Sequence, residues 1–196
     1  MPTFAEELKT QRWDDHRYYH HSRINQSLHF VSATSFLVSY GLIFFQPVLA
    51  TLLGWLVAMT ARQSGHFFFE PKGYDHVNQA THEYKEQIKV GYNLRRKILL
   101  YVAFALAPLP LLIDRTYFGI FYSENLLHNV AMVWLALGAA GLLFRGVHLF
   151  FLRGVRTGLV WMLKILTDPF NDLKLYWKAP LALMRGELID TSLQKT

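Results

Sequence analysis

Histidine is the residue of this chain with the most chemistry to offer. Nine occur, at positions 16, 20, 21, 29, 66, 76, 82, 128 and 148, and a neutral imidazole can relay a proton or ligate a metal near neutral pH. There is no cysteine, so thiolate ligation and disulfide cross-links are both excluded. Any bound metal must rest on imidazole or carboxylate.

Two constellations concentrate these residues. The first is Tyr19-His20-His21-Ser22-Arg23-Ile24-Asn25-Gln26-Ser27-Leu28-His29. On an unbroken helix His20 and His29 point to opposite faces, nine residues or about 900° apart. Ser22 resolves this if it acts as an N-cap, ending one helix and starting the next. His20 or His21 then folds back over Asn25 and His29, which share a face at i, i+4. The second constellation is Arg62-Gln63-Ser64-Gly65-His66-Phe67-Phe68-Phe69-Glu70-Pro71. Arg62, His66 and Glu70 fall at i, i+4 and i+8, a polar stripe on the last turns of an apolar helix. Such a stripe needs a polar cavity, whereas a bare pairing of Arg62 with Glu70 at the interface leaves His66 without a role. Gly65 permits close approach of a second helix.

The elements that must position these groups are predicted to be membrane helices. Apolar runs at residues 28–45, 48–69, 98–113 and 126–151 approach the roughly 20 residues a bilayer core requires, with Gln46-Pro47 breaking the first from the second. The fold class predicted is all-α, a polytopic membrane protein with about four transmembrane helices plus amphipathic interfacial and cytoplasmic helices. One domain is expected over 1–196: an interfacial N-terminal helix at 1–22, a first helix pair at 28–69, a cytoplasmic connector helix at 75–97, a second helix pair at 98–151 and an interfacial tail at 158–196. The acidic Glu6, Glu7, Asp14 and Asp15 argue against a secretory signal at the N-terminus. Basic residues gather before the first run, between the second and third, and after the fourth, which places both termini in the cytoplasm. The net charge of +6 is accounted for by these loops and by anionic lipid headgroups, so no nucleic-acid partner is implied. The Gly138-Ala139-Ala140-Gly141 patch suits helix contact, most economically within the chain and otherwise between copies.

This topology brings eight histidines to the cytoplasmic end. His128 lies 20 residues from His148 on one helix, about 30 Å of rise, so those two cannot share a site. Along the connector, Val77, Ala80, Tyr84, Ile88 and Gly91-Tyr92 recur at helical spacing. His82 falls on the opposite face with Asp75, Glu86 and Lys89. If that helix covers the bundle mouth, His82 is the leading candidate for a fourth ligand and His76 its rival. His21 and His148 are secondary candidates. The tail, with Trp161, Tyr176 and Trp177 among lysines, reads as an anchor in the headgroup layer.

The pattern of His20, Asn25 and His29 entering a first membrane helix, followed by Gly65-His66-Phe67-Phe68-Phe69-Glu70 at the end of the second, resembles the membrane 2-hydroxy fatty acid dioxygenase family over residues 13–72. The resemblance implies an integral membrane enzyme of lipid α-oxidation. Its Fe(II), held largely by histidine, would cleave the C1–C2 bond of a 2-hydroxy fatty acid with O2 and leave an acid one carbon shorter. It also implies His20, His29 and His66 as metal ligands, with Asn25 and Glu70 as candidate catalytic residues. Arg62 is then the candidate partner of the substrate carboxylate, because guanidinium stays protonated and cannot ligate a cation. The chain departs from the family pattern in its long 73–97 connector and in the tail around Asp168-Pro169-Phe170. Two other readings compete. One is a di-iron hydroxylase or desaturase, for which His16-Arg17-Tyr18-Tyr19-His20-His21 supplies only one histidine box. The other is a non-enzymatic membrane protein, either structural or a haem carrier using His66 and His148.

Overall fold

The computed structural model describes residues 2–76 and 78–190, and among them every regular element is helical. Helix α1 (Phe4–Tyr19) starts at a capping box in which the Thr3 hydroxyl accepts from the Glu6 amide and Glu6 accepts from the Thr3 amide. It ends at His20, and α2 (Arg23–Leu42) begins after Ser22. The expected break is therefore present, but the Ser22 hydroxyl makes no capping hydrogen bond. Two amides hold the turn instead: Asn25 Nδ2 donates to the Tyr19 carbonyl and Gln26 Nε2 to that of His20, each at 2.8 Å.

Gln46 and Pro47 open the next helical stretch as expected, proline being suited to a first turn whose amides have no partner. It runs without interruption through α3 (Pro47–Leu52), a π segment (Leu53–Met59) and α4 (Thr60–Phe68). The π segment packs on α2, where a Cβ on Gly54 would stand in ordinary contact with Ser39 Oγ at 3.6 Å.

The continuous connector helix expected over 75–97 does not form. A tight turn closes through reciprocal backbone hydrogen bonds between Asp75 and Ala80, α5 (His82–Ile88) follows, and α6 (Leu94–Leu106) starts anew. Local capping outweighs the apolar periodicity here: Thr81 accepts from the Tyr84 amide and Asn93 from the Arg96 amide, each starting its own helix. Val77, the first member of the expected stripe, lies outside the described residues. Pro108 and Pro110 stop α6 in a 3₁₀ turn at Leu109–Leu112.

Helix α7 (Leu126–Arg153) is the one described helix long and apolar enough by itself to cross a membrane. Gly154, at φ 91°, reverses the chain into α8 (Val155–Tyr176), and α9 (Ala179–Met184) completes the fold. The tail expected to lie in the headgroup layer is thus a 22-residue helix packed against α1, α2 and α7. Gly158 fits against Gly146 and Phe150 where α7 and α8 meet. Residues 191–196 of that expected tail lie outside the described residues.

Burial is inverted relative to a water-soluble protein. Asn25, His29, Ser32, Lys85 and Asn129 are fully buried, while Phe44, Phe45, Ile113 and Phe151 are more than four-fifths exposed. Helix α6 contributes no buried residue. Polar groups thus fill much of the interior beside Leu111, Leu149 and Val160, while many aliphatic side chains face outward.

Candidate metal centre

Three imidazoles meet where the start of α2, the end of α4 and the α1–α2 turn converge. The ring centroids of His20 and His29 are 4.1 Å apart, those of His29 and His66 5.0 Å, and those of His20 and His66 5.4 Å. One ring nitrogen from each lies within 4.8 Å of the others. The broken helix makes this possible: His20, on the turn, folds back over His29 in the first turns of α2. Gly65 brings α4 close enough for His66 to join. A Cβ on Gly65 would stand 2.3 Å from Asn25 Oδ1 and 3.4 Å from the His29 ring.

Each imidazole is tethered by its Nδ1. That of His66 meets Glu70 Oε2 at 2.8 Å, that of His29 meets Asp172 Oδ2 at 3.3 Å, and that of His20 meets the Tyr176 hydroxyl at 2.9 Å. A carboxylate only accepts, so the protons of His29 and His66 reside on Nδ1 and their Nε2 lone pairs are free. The Tyr176 hydroxyl bridges His20 Nδ1 and His16 Nδ1, the latter 3.0 Å away; in the tautomer of His20 that leaves Nε2 free, Tyr176 accepts from His20 and donates to His16. The Nε2 atoms of His20 and His29 are buried with no hydrogen-bond partner among the described residues. Two such orphaned atoms facing a third imidazole make a costly arrangement in an apoprotein and a fitting one around a metal ion. Burial, reinforced by His29, holds His20 well below the ordinary histidine range and hence neutral, as ligation requires. Three neutral imidazoles suit Fe(II) or Zn(II) equally by ligand type.

Behind the tethers lies an ionic lattice. Arg62 holds Asp172 at 2.8 Å and Asp168 at 3.5 Å, Arg12 holds Asp168 at 3.3 Å, and Lys164 bridges Asp168 and Asp15. Burial opposes ionisation of Asp15, but the charge and hydrogen bond of Lys164 bring its carboxyl down to about 2. On the other flank Glu70 Oε1 receives Lys89 Nζ at 2.8 Å, and Lys89 also holds Glu86.

Set against the sequence, His20, His29 and His66 come together. His82 begins α5 half-buried and outside the group, because the face of α5 turned inward carries Lys85 and Lys89. His76 is exposed against Tyr74, His21 bonds the Arg17 carbonyl near Asp75, and His148 pairs with Arg145. His66 and His148 therefore occupy separate surroundings. Glu70 orients His66 and does not pair with Arg62. Asn25 Nδ2 is engaged by the Tyr19 carbonyl, while its Oδ1, facing Gly65, is buried with no hydrogen-bond partner among the described residues. The Arg62 guanidinium, the expected partner of a substrate carboxylate, is occupied by two carboxylates of the protein. Asp172, Tyr176, Asp168 and Lys164 were not anticipated, although their signal was present: all four recur at i, i+4, i+8 and i+12, the same spacing that marks Arg62, His66 and Glu70. Of the Gly138–Gly141 patch, Gly141 rests on Phe104 of α6 and Gly138 faces open space.

Comparisons with family models, with curated proteins and with solved structures find no match for this chain.

Proposed function

We propose that this protein is an integral membrane, Fe(II)-dependent dioxygenase that cleaves the C1–C2 bond of 2-hydroxy fatty acids and releases the acid one carbon shorter. The observation that carries the reading is the buried triad of His20, His29 and His66, each tethered through Nδ1. The resemblance over residues 13–72 turns a generic imidazole centre toward iron and toward this substrate class. Fe(II) held by the three histidines would supply the redox centre at which O2 is reduced and the hydroxy acid oxidised.

The residues of the chain do the rest. Glu70, Asp172 and Tyr176 fix the ring orientation of the three ligands, and the surrounding burial excludes bulk water. The reaction balances without an outside reductant: a 2-hydroxy acid plus O2 gives the shortened acid, carbon dioxide and water. The membrane setting is supported by the inverted burial, since α2, α3 with the π segment and α4, α6, and α7 all expose aliphatic side chains that water would disfavour. On this reading those four stretches cross the bilayer, both termini are cytoplasmic, and the histidine centre lies at the cytoplasmic face, where the head of an amphiphile reaches water.

Incubating anaerobically iron-loaded protein with 2-hydroxyhexadecanoate and O2 tests the activity. Pentadecanoate formed in step with O2 uptake is the expected result. A product of unchanged chain length, or no uptake, contradicts the reading.

A further inference from the structure

His20 is the one member of the triad that no helix carries. His29 lies in α2 and His66 in α4, whereas His20 sits on the turn between α1 and α2. The Ser22 hydroxyl caps nothing there, and the first amides of α2 find no partner within their own helix. One of them is met from the far end of the chain.

Residues 187–190 cross the turn as a short strap. The Arg23 amide donates to the Leu188 carbonyl at 2.9 Å and the Asp190 amide to the His21 carbonyl at 2.8 Å, which sets Ser22 against Ile189 in an antiparallel bridge. Leu188 thus does for the Arg23 amide what a capping side chain would do. Asp190 reaches further in. Its Oδ2 receives Gln26 Nε2 at 2.9 Å and Arg23 Nη1 at 3.0 Å, and Arg23 Nη1 also donates to Gln26 Oε1 at 2.8 Å. Gln26 and Asp190 are both buried, and the N-terminus of α2 favours a carboxylate at this place.

The Gln26 amide links the strap to the metal centre. Its nitrogen carries two hydrogens, one donated to Asp190 and the other to the His20 carbonyl at 2.8 Å. Holding that carbonyl holds the backbone from which the His20 ring folds over His29, while Tyr176 holds the ring itself at Nδ1. Parting the strap therefore loosens His20 without unwinding a helix, whereas His29 and His66 move only with α2 and α4.

We propose that residues 187–190 latch the histidine centre, with Asp190 a positioning residue that holds His20 through Gln26 and so sets how long a metal stays bound. The inference rests on the metal centre proposed above, and on neither its iron nor its substrate. With the strap in place three imidazoles close on the ion. With it parted, His20 leaves a two-histidine site from which the ion escapes.

The test uses zinc, which has no redox chemistry and suits three neutral imidazoles as well as iron does. Release from zinc-loaded protein to excess chelator is timed, with the melting temperature of the metal-free protein measured alongside. Asp190→Ala should release zinc about tenfold to a hundredfold faster than wild type. Gln26→Leu should do the same, and the two substitutions together should add little to either alone, because they act along one route. A merely structural strap would lower the melting temperature and leave the release rate unmoved. The chain has no cysteine of its own, so Ser22→Cys combined with Ile189→Cys allows the strap to be locked: facing residues of an antiparallel pair lie about 4.5–5.5 Å apart at Cα, within the reach of a disulfide. The oxidised form should release zinc more slowly than wild type. Unchanged release from Asp190→Ala, additive effects of the two substitutions, or an oxidised form that releases as fast as wild type would overturn the latch and leave the centre standing. Wild type that binds neither zinc nor iron overturns both.

Discussion

His66 illustrates how one side chain acquires a function from two neighbours. Glu70 sits four residues away on the same helical face and takes the Nδ1 proton, while Lys89 holds the other carboxylate oxygen in place. Across space Asp172 tethers His29 in turn, with Arg62 bonding the same Oδ2 that faces the imidazole. Glu70→Gln, Asp172→Asn and Tyr176→Phe should each weaken metal affinity about tenfold to a hundredfold while leaving the helices folded, which a metal titration followed by circular dichroism checks. Arg62→Gln should behave differently. Removing the guanidinium leaves Asp168 and Asp172 short of a partner in a buried setting, a loss of about 3–5 kcal/mol, so thermal unfolding in detergent should fall markedly. An Arg62→Gln protein of unchanged melting temperature would contradict the stabilising pairing of Arg62 with Asp172 and Asp168. The ligands themselves were legible because their spacing on either side of Ser22 and on the last turn of α4 suits joint ligation. Their tethers through Asp172 and Tyr176 were not, since they come from more than 140 residues away.

Among the elements, the meeting of α2 with α4 sets the geometry of the site. The approach depends on the absence of a side chain at Gly65, where a Cβ would fall 2.3 Å from Asn25 Oδ1. Asn25 cannot easily yield, because its amide holds the α1–α2 turn. Gly65→Ala should therefore cost about 1–3 kcal/mol and lower iron content together with stability. Gly146→Ala, whose Cβ meets the flexible Met162 side chain at Sδ and Cγ, should be milder than Gly158→Ala, which meets the Phe150 ring and a backbone oxygen. Melting curves of the three variants would expose a wrong packing by reversing that order. The break at Ser22, the opening at Pro47 and the close approach at Gly65 were all readable from residue type. The connector and α8 are less legible for one reason: apolar periodicity masks the polar residues interleaved with it. In the connector those residues cap separate helices; in α8 they form the buried stripe of Lys164, Asp168, Asp172 and Tyr176.

At the scale of the whole molecule, a polar interior wrapped in exposed aliphatic and aromatic side chains is the arrangement a bilayer selects. Only α7 carries that signal within a single uninterrupted helix. The other proposed spans are divided by the π segment, stopped by Pro108, or begun among the polar residues at the start of α2. Reporters fused at Lys85 and at the C-terminus should read cytoplasmic, and one at Tyr122 should read the opposite side. A Lys85 reporter on the same side as Tyr122 would remove the connector, and Lys89 with it, from the face that holds the histidines.

On the proposed function His20, His29 and His66 form one iron centre. Metal quantification on anaerobically purified protein, in wild type and in alanine variants of single histidines, tests it most directly. Wild type should carry close to one iron per chain, His20→Ala, His29→Ala and His66→Ala should each lose it, and His82→Ala, His76→Ala and His148→Ala should retain it. Full iron retention in the first three variants, or zinc in place of iron in the wild-type protein, would contradict the account.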